Sequence, residues 1–387
     1  MKDIIIWGAG RLGICAFYFY RDYCNVKCFV DGNQTKWGLR VEGLEVKSPN
    51  VLMTDNSTVI VANKFDHETI VEQLRTQYGK RDIVIFDVKK ELVSSDSLEN
   101  FENKNALSIR FSGGLGNQMF QYALYRAIRE NGKNIFVRNM NGSGTLEISR
   151  VFNNIRIEQI TKEDEDNIVN YNVGNDIPNN IFSIYRENMT QGTVKRADEG
   201  ILNIDSGIIN GVFQTRLFAE RTKDSLIKEF AFPKNDNKML NSFLAEFRNN
   251  DSVSVHIRMG DYLVGNNKYI YGDICNEDYY KKAFEYLESN VDKPVFYVFS
   301  NDIDEAKHLI KGFHVRYIDS KEFDEYEDWF DMYMMSQCKH NIIANSTFSW
   351  WGAWLNQNRN KIVLAPPKWT NLFIYEDIYP EDWIIIS

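Results

Sequence analysis

The chain has 387 residues, of which 43% are hydrophobic, 26% charged and 14% aromatic. Those proportions exclude a disordered or fibrous polypeptide, and the length suits two or three domains with cores of their own. With 45 Lys and Arg against 54 Asp and Glu, the net charge of −9 excludes a chain that coats nucleic acid by bulk charge. The apolar run Ile4-Ile5-Ile6-Trp7 ends in Gly8-Ala9-Gly10 and has neither the length nor the cleavage site of a signal peptide. No stretch approaches the roughly 18 to 20 apolar residues of a membrane span. A cytoplasmic protein is expected, peripheral to a membrane at most. The five cysteines (Cys15, Cys24, Cys28, Cys275, Cys338) are scattered with no CxxC, and the five histidines form no HExxH. A disulfide framework, a zinc ribbon and histidine-centred metal chemistry are therefore not expected.

The first strand runs into Gly8-Ala9-Gly10-Arg11-Leu12-Gly13 and a helical stretch through Tyr20, followed by a second strand, Val26 to Val30, that ends at Asp31. A GxGxxG loop between strand and helix, with an acid about 20 residues on, is the dinucleotide fingerprint. Its glycines let the backbone approach a pyrophosphate on the helix N-terminus. Strands at 58–62 and 82–86 and a helix at 68–78 complete a small Rossmann-like domain over residues 1–90. With Phe29-Val30-Asp31-Gly32-Asn33, Gly38 and Gly43, it resembles the small Rossmann-like domains attached to many bacterial sugar-modifying enzymes. Gly8, Gly10, Gly13 and Asp31 either hold NAD or a nucleotide sugar, or serve a structural or docking role. Apolar periodicity then vanishes, and residues 91–105 read as a linker.

After the linker, 106–111 reads as a strand leading into Ser112-Gly113-Gly114-Leu115-Gly116-Asn117-Gln118. Met119, Phe120, Ala123, Leu124, Ala127 and Ile128 then recur at helical spacing. The loop lacks the Lys-Ser/Thr of a P-loop, so ATP hydrolysis is not indicated. Its glycines admit a close substrate with the Asn117 and Gln118 amides bonding it, or they simply make a tight turn. In the next strand Val253, Val255 and Ile257 share one face, while Ser254, His256 and Arg258 share the other. Arg258 offers a planar fork suited to phosphate, His256 a ring nitrogen, and Asp261 a carboxylate that holds Arg258 or accepts a proton.

A strand at 294–299 ends at Ser300-Asn301-Asp302, so Ser300 and Asp302 either meet a nucleotide beyond the strand end or cap the following helix. Last, His340 to Ala344 leads into Asn345-Ser346-Thr347-Phe348-Ser349 and Trp350-Trp351-Gly352-Ala353-Trp354. Asn345 or Ser346 caps a helix whose first N–H groups and hydroxyls are expected to converge as an anion site. Phe348, Trp350, Trp351 and Trp354 read as packing residues.

Together, Gly113 to Ala123, His256-Ile257-Arg258-Met259-Gly260-Asp261-Tyr262, Phe299 to Asp302 and Asn345 to Leu355 resemble the α-1,2-fucosyltransferases of glycosyltransferase family 11. Gly211-Val212-Phe213-Gln214 is a looser match. The resemblance spans 106–387 and implies a GT-B-like enzyme of two Rossmann-like halves, the acceptor side near 106–240 and the donor side near 250–387. It implies inverting transfer of L-fucose from GDP-β-L-fucose to the 2-hydroxyl of a galactoside, with no required cofactor and no metal. The donor would be held by Gly114, Gly116, Asn117, Gln118, Ser300 and Asn345. Arg258 would meet the β-phosphate, His256 and Asp302 the guanosine, and the turn Ser346, Thr347, Phe348, Ser349 the pyrophosphate. Asp261 is the expected base, with His256 in reserve. Met259 stands where the family usually has a second arginine, and Asn301 where it has an acid. Two rival readings are a metal-dependent transferase using Asp302 and Asp304, and an NAD-dependent sugar oxidoreductase using the N-terminal loop.

Overall fold

The computed structural model describes residues 2–21, 24–63, 67–80, 82–86, 106–142, 144–165, 184–185, 189–190, 193–194, 199–204 and 207–387. These fall into two compact units, 2–86 and the described residues from 106 onward. The 91–105 stretch read as a linker lies outside the described residues.

The first unit runs β1 (Lys2–Trp7), α1 (Arg11–Tyr20), β2 (Cys24–Val30), β3 (Arg40–Val41), β4 (Leu44–Lys47), β5 (Thr58–Val61), α2 (His67–Thr76) and β6 (Ile83–Ile85). Its sheet has the order β3-β4-β2-β1-β5-β6, parallel except for β3. Ile4 and Ile6 enter one apolar cluster and Ile5 and Trp7 another. That is why β1 reads as an unbroken apolar run: a parallel strand is covered on both faces.

The second unit begins with β7 (Leu107–Phe111), α3 (Leu115–Glu130), β8 (Ile135–Asn139), α4 (Glu147–Val151), β9 (Gln159–Ile160) and β10 (Ile184–Tyr185). A hairpin of β11 (Met189–Thr190) and β12 (Thr193–Val194) precedes β13 (Gly207–Asn210), α5 (Arg216–Arg221), α6 (Lys223–Glu229) and α7 (Lys238–Asn249). Next come β14 (Asp251–Ile257), α8 (Gly265–Tyr271), α9 (Glu277–Asn290), β15 (Pro294–Ser300), α10 (Ile303–Leu309) and β16 (Val315–Ile318). The chain closes with α11 (Phe330–Gln337), β17 (His340–Ile342), α12 (Thr347–Trp354), β18 (Val363–Ala365), β19 (Ile374–Tyr375) and β20 (Ile384–Ile385).

Two parallel sheets result. One has the order β10-β13-β7-β8-β9 and the other β16-β15-β14-β17-β18-β20. In the latter the winding reverses between β14 and β17, and in the former between β7 and β13. Open α/β sheets leave a crevice beyond the carboxyl ends of strands at such reversals. The two halves share one apolar core, in which Phe120 of α3 lies 4.6 Å from Trp350 and 5.0 Å from Trp351 of α12. Phe348 is half-buried, whereas Trp350, Trp351 and Trp354 are packing residues as expected. Among the described residues no helix is long and apolar enough to cross a membrane.

Candidate functional site

Both reversals open onto one cavity of about 340 Å³. The first half contributes Gly114, Leu115, Gly116 and Asn117 after β7, and Gln214 after β13. The second half contributes Arg258, Asp261 and Tyr262 after β14, and Asn345, Ser346, Thr347 and Phe348 after β17.

Arg258 follows the last residue of β14, and its Nη2 lies 2.9 Å from Asp261 Oδ1. Its guanidinium stands 5.4 Å over the Tyr262 ring. Tyr262 stacks on Tyr271 at 4.8 Å and donates its hydroxyl to the Asn345 carbonyl at 3.1 Å. The guanidinium is thus braced by a carboxylate and a ring, while its other donors remain for a ligand. Gly260 turns the chain with φ of 60°. Beside it, the Asn301 side chain accepts from the Met259 N–H at 2.8 Å and donates to the Met259 carbonyl at 3.1 Å. Met259 itself is buried in the apolar cluster under β14.

Helices α3 and α12 both begin at the cavity, capped by Gly114 and Ser346 with no side-chain cap bond at either. Their first N–H groups lack intrahelical acceptors, and both helix dipoles favour an anion there. The helix starts nearly touch. A Cβ on Gly116 would lie 2.6 Å from Thr347 Oγ1 and 2.9 Å from the Phe348 nitrogen. Trp351 Nε1 donates to the Gly116 carbonyl at 3.0 Å and ties the two together.

Several expected ligands have other roles. The Gln118 amide is buried, donating to the Gly113 carbonyl at 2.9 Å and accepting from the Ile148 N–H at 3.1 Å. The Ser349 hydroxyl turns inward, within 3.2 Å of the Ser346 carbonyl, so the expected convergence of hydroxyls on one point is corrected. Asn345 is the clasp, not the helix cap: its amide donates to the carbonyls of Tyr271 at 3.1 Å and Trp369 at 3.2 Å. Ser300 Oγ bonds the Asp302 main chain, and Asp302 Oδ1 accepts from the Glu305 N–H at 3.2 Å, capping α10. Asp304 pairs with Lys307 at 3.0 Å on the surface. The two carboxylates of the Asp-x-Asp therefore do not converge, and among the described residues no group of three or more His, Cys, Asp or Glu is placed to hold a metal ion.

His256 is buried and does not line the cavity, and its Nδ1 has no hydrogen-bond partner among the described residues. Burial, and next the charge of Arg258, push its pKa from 6.5 down to about 3. The imidazole is neutral at physiological pH. Its stabilising effect is full above pH 6.5 and falls as the pH drops toward 3, because the unfolded chain then takes up a proton that the folded one refuses.

Gln214, Tyr262, Asn267, Tyr271 and Trp369 join the site without having been singled out as ligands. Trp369 Nε1 donates to Gln214 Oε1 at 2.6 Å, and Gln214 Nε2 donates to Asn117 Oδ1 at 3.3 Å. This chain orients Asn117 from a residue far along the sequence. Gln214 was visible only as the end of a loose motif; its neighbour Phe213 has φ of 56°, a turn that the sequence does not announce.

In the first unit, Gly8 has φ of 112°, and a Cβ on Gly13 would sit 1.6 Å from the Gly8 carbonyl oxygen, so both glycines are required by the turn. The Asp31 carboxylate accepts from the N–H groups of Ala9 and Asn33, each at 2.9 Å, and from Lys36 at 2.8 Å. Burial pushes its pKa up, and Lys36 with the two N–H groups outweighs this, leaving it lowered. Asp31 fastens the loop on which it stands.

A guanidinium and two helix starts, gathered where two parallel sheets reverse, form a cavity whose chemistry suits an anionic group. Residues 74–387 match the family model described as glycosyl transferase family 11, and the chain belongs to that family. It is 31% identical over 284 residues to the O-antigen biosynthesis glycosyltransferase WbnK of Escherichia coli, covering 67% of this chain and 93% of that protein. It is 32% identical over 297 residues to an alpha-1,2-colitosyltransferase of Escherichia coli, covering 72% of this chain and 98% of that one. A galactoside alpha-(1,2)-fucosyltransferase 1 of Saimiri boliviensis boliviensis is 26% identical over 139 residues, 35% of this chain and 38% of that protein.

Proposed function

We propose that this glycosyltransferase moves L-fucose from GDP-β-L-fucose to the 2-hydroxyl of a galactoside, with inversion, in the synthesis of a surface glycan. The observation that carries the reading is the shared cavity, where Arg258 and the starts of α3 and α12 stand together. The two sheets correspond to the halves of a GT-B-like enzyme, the acceptor half near 106–240 and the donor half near 250–387, preceded by a Rossmann-like domain over 1–90. The reaction builds positive charge on the sugar and negative charge on the departing GDP. Arg258 and the N–H groups of α12 stabilise that leaving charge from fixed positions, and Asp261 and Tyr262 hold Arg258 there.

The colitosyltransferase relative favours a second donor, the GDP-linked 3-deoxy counterpart of fucose. The test is turnover of GDP-fucose and of GDP-colitose with lactose in EDTA, with the linkage read by NMR. Fucosylation at the 2-hydroxyl supports the proposal, colitosylation alone selects the second donor, and loss of activity in EDTA refutes metal independence. No turnover of either donor overturns the reading.

Replacing Asn301 by Asp sets a carboxylate oxygen against the Met259 carbonyl that the amide now bonds. Leaving that carbonyl opposed costs about 1–3 kcal/mol. The turn that carries Arg258 loosens, and GDP affinity measured by calorimetry is expected to fall about tenfold, the equivalent of roughly 1.4 kcal/mol.

A further inference from the structure

Inversion requires the acceptor oxygen to approach the sugar on the face opposite the leaving phosphate. Asp261 is bonded to Arg258, the cation assigned to that phosphate, and so stands on the leaving-group side. His256 is buried behind the cavity. A proton acceptor in the other half would face the acceptor oxygen instead.

Among the described residues, one carboxylate of that half meets the requirement. Glu147 is the first residue of α4, and the Ile148 N–H bond to Gln118 fixes the start of α4 against the start of α3. Its Oε2 lies 3.7 Å from the point where a side chain on Gly114 would begin, and Gly114 lines the cavity. Glu147 is half-buried and has no hydrogen bond or ion pair among the described residues. It is not a surface acid balanced by a neighbouring cation, and the missing side chain of Gly114 leaves space beside it. The clasp made by Gln118, which consumes its amide, acquires a purpose: it positions Glu147.

We propose that Glu147 is the base of the transfer reaction, an inference that rests on the glycosyltransferase reading above. The acceptor hydroxyl loses its proton to the Glu147 carboxylate as its oxygen bonds C1 of the sugar. The bond from C1 to the β-phosphate oxygen breaks, and its electron pair leaves on GDP beside Arg258. Gly114 is the surface over which the acceptor reaches both groups.

The experiment compares wild type with Glu147→Gln, Glu147→Asp and Glu147→Ala, using the donor that the wild type turns over. Glu147→Gln keeps the melting temperature and GDP affinity of the wild type while kcat falls about a hundred- to ten-thousand-fold, the range of general-base catalysis. Glu147→Asp keeps an intermediate rate, and formate restores part of the activity of Glu147→Ala. A purely structural glutamate shows neither of those two results. Wild-type kcat in Glu147→Gln overturns the proposal, as does a loss matched by lower GDP affinity and melting temperature. Wild type that turns over no GDP-sugar removes the transferase reading and this inference with it, an outcome separate from an active wild type whose variants are equally active.

Discussion

Arg258→Ala is expected to leave a folded protein that transfers sugar at least about a hundred- to a thousand-fold more slowly, the cost of losing one fixed donor to a developing oxyanion. The fold should survive because the side chain is about one third exposed (32%) and carries no part of the core. Asp261, deprived of its partner, is 47% exposed and can be solvated where it stands. The loss should fall on kcat and on GDP affinity together, since the leaving group is charged in the ground state and more so in the transition state. Arg258→Lys should recover only part of the rate. An ammonium is a single point charge, and it cannot both bond Asp261 in the present plane and present a second N–H to phosphate. Met259 sharpens the expectation: it is buried where the family usually has a second arginine, so no second cation of this motif takes over. Steady-state kinetics with a thermal melt checks the prediction. Wild-type turnover in the folded alanine variant would refute the assignment of Arg258 to the leaving group.

The parts of the site that were legible are those where backbone periodicity and a chemically distinctive residue coincide. β14 shows its alternation directly, with Val253, Val255 and Ile257 in the core, and it delivers Arg258 at its end. The order β16-β15-β14-β17-β18-β20 then places Arg258 next to the Ser346 turn, although 88 positions separate them in the chain. What was not legible is where a polar side chain sends its hydrogen bonds. Gln118, Ser349, Asn345 and Asp302 all sit at strand ends or helix starts, where ligands are expected. Each instead bonds backbone within the protein, because side chains of these types compete equally well for a local carbonyl or N–H. α3 likewise starts at Leu115, inside the glycine-rich stretch, which puts Gly116, Asn117 and Gln118 in its first turn rather than in a loop. Glycine weakens the helical signal without preventing the helix. Gln214 and Trp369 are 155 positions apart and meet at 2.6 Å. No local pattern could pair them.

Gly116→Ala should damage both stability and function. On helix propensity alone it would be favourable by about 0.8–1.0 kcal/mol. Packing reverses the sign. The added carbon would lie 2.6 Å from Thr347 Oγ1, 2.8 Å from the Thr347 carbonyl carbon and 2.9 Å from the Phe348 nitrogen. The hydroxyl can rotate away, but the other two atoms are backbone at the start of α12, so the helix must move. Phe120 against Trp350 and Trp351, and the Trp351 bond to the Gly116 carbonyl, resist that movement. The expected overpacking cost is about 1–3 kcal/mol. The functional cost is larger, because the displaced atoms carry the N–H groups assigned to the pyrophosphate, and a misplacement of about 1 Å can cost a hundred-fold in rate. Gly114→Ala separates the two effects. A Cβ there meets only Glu147 Oε2, at an ordinary 3.7 Å, so this variant should melt with the wild type while Gly116→Ala melts lower and loses GDP affinity. Equal melting temperatures and equal GDP binding for the two alanine variants would mean that α3 and α12 are not held at the separation on which the anion site depends.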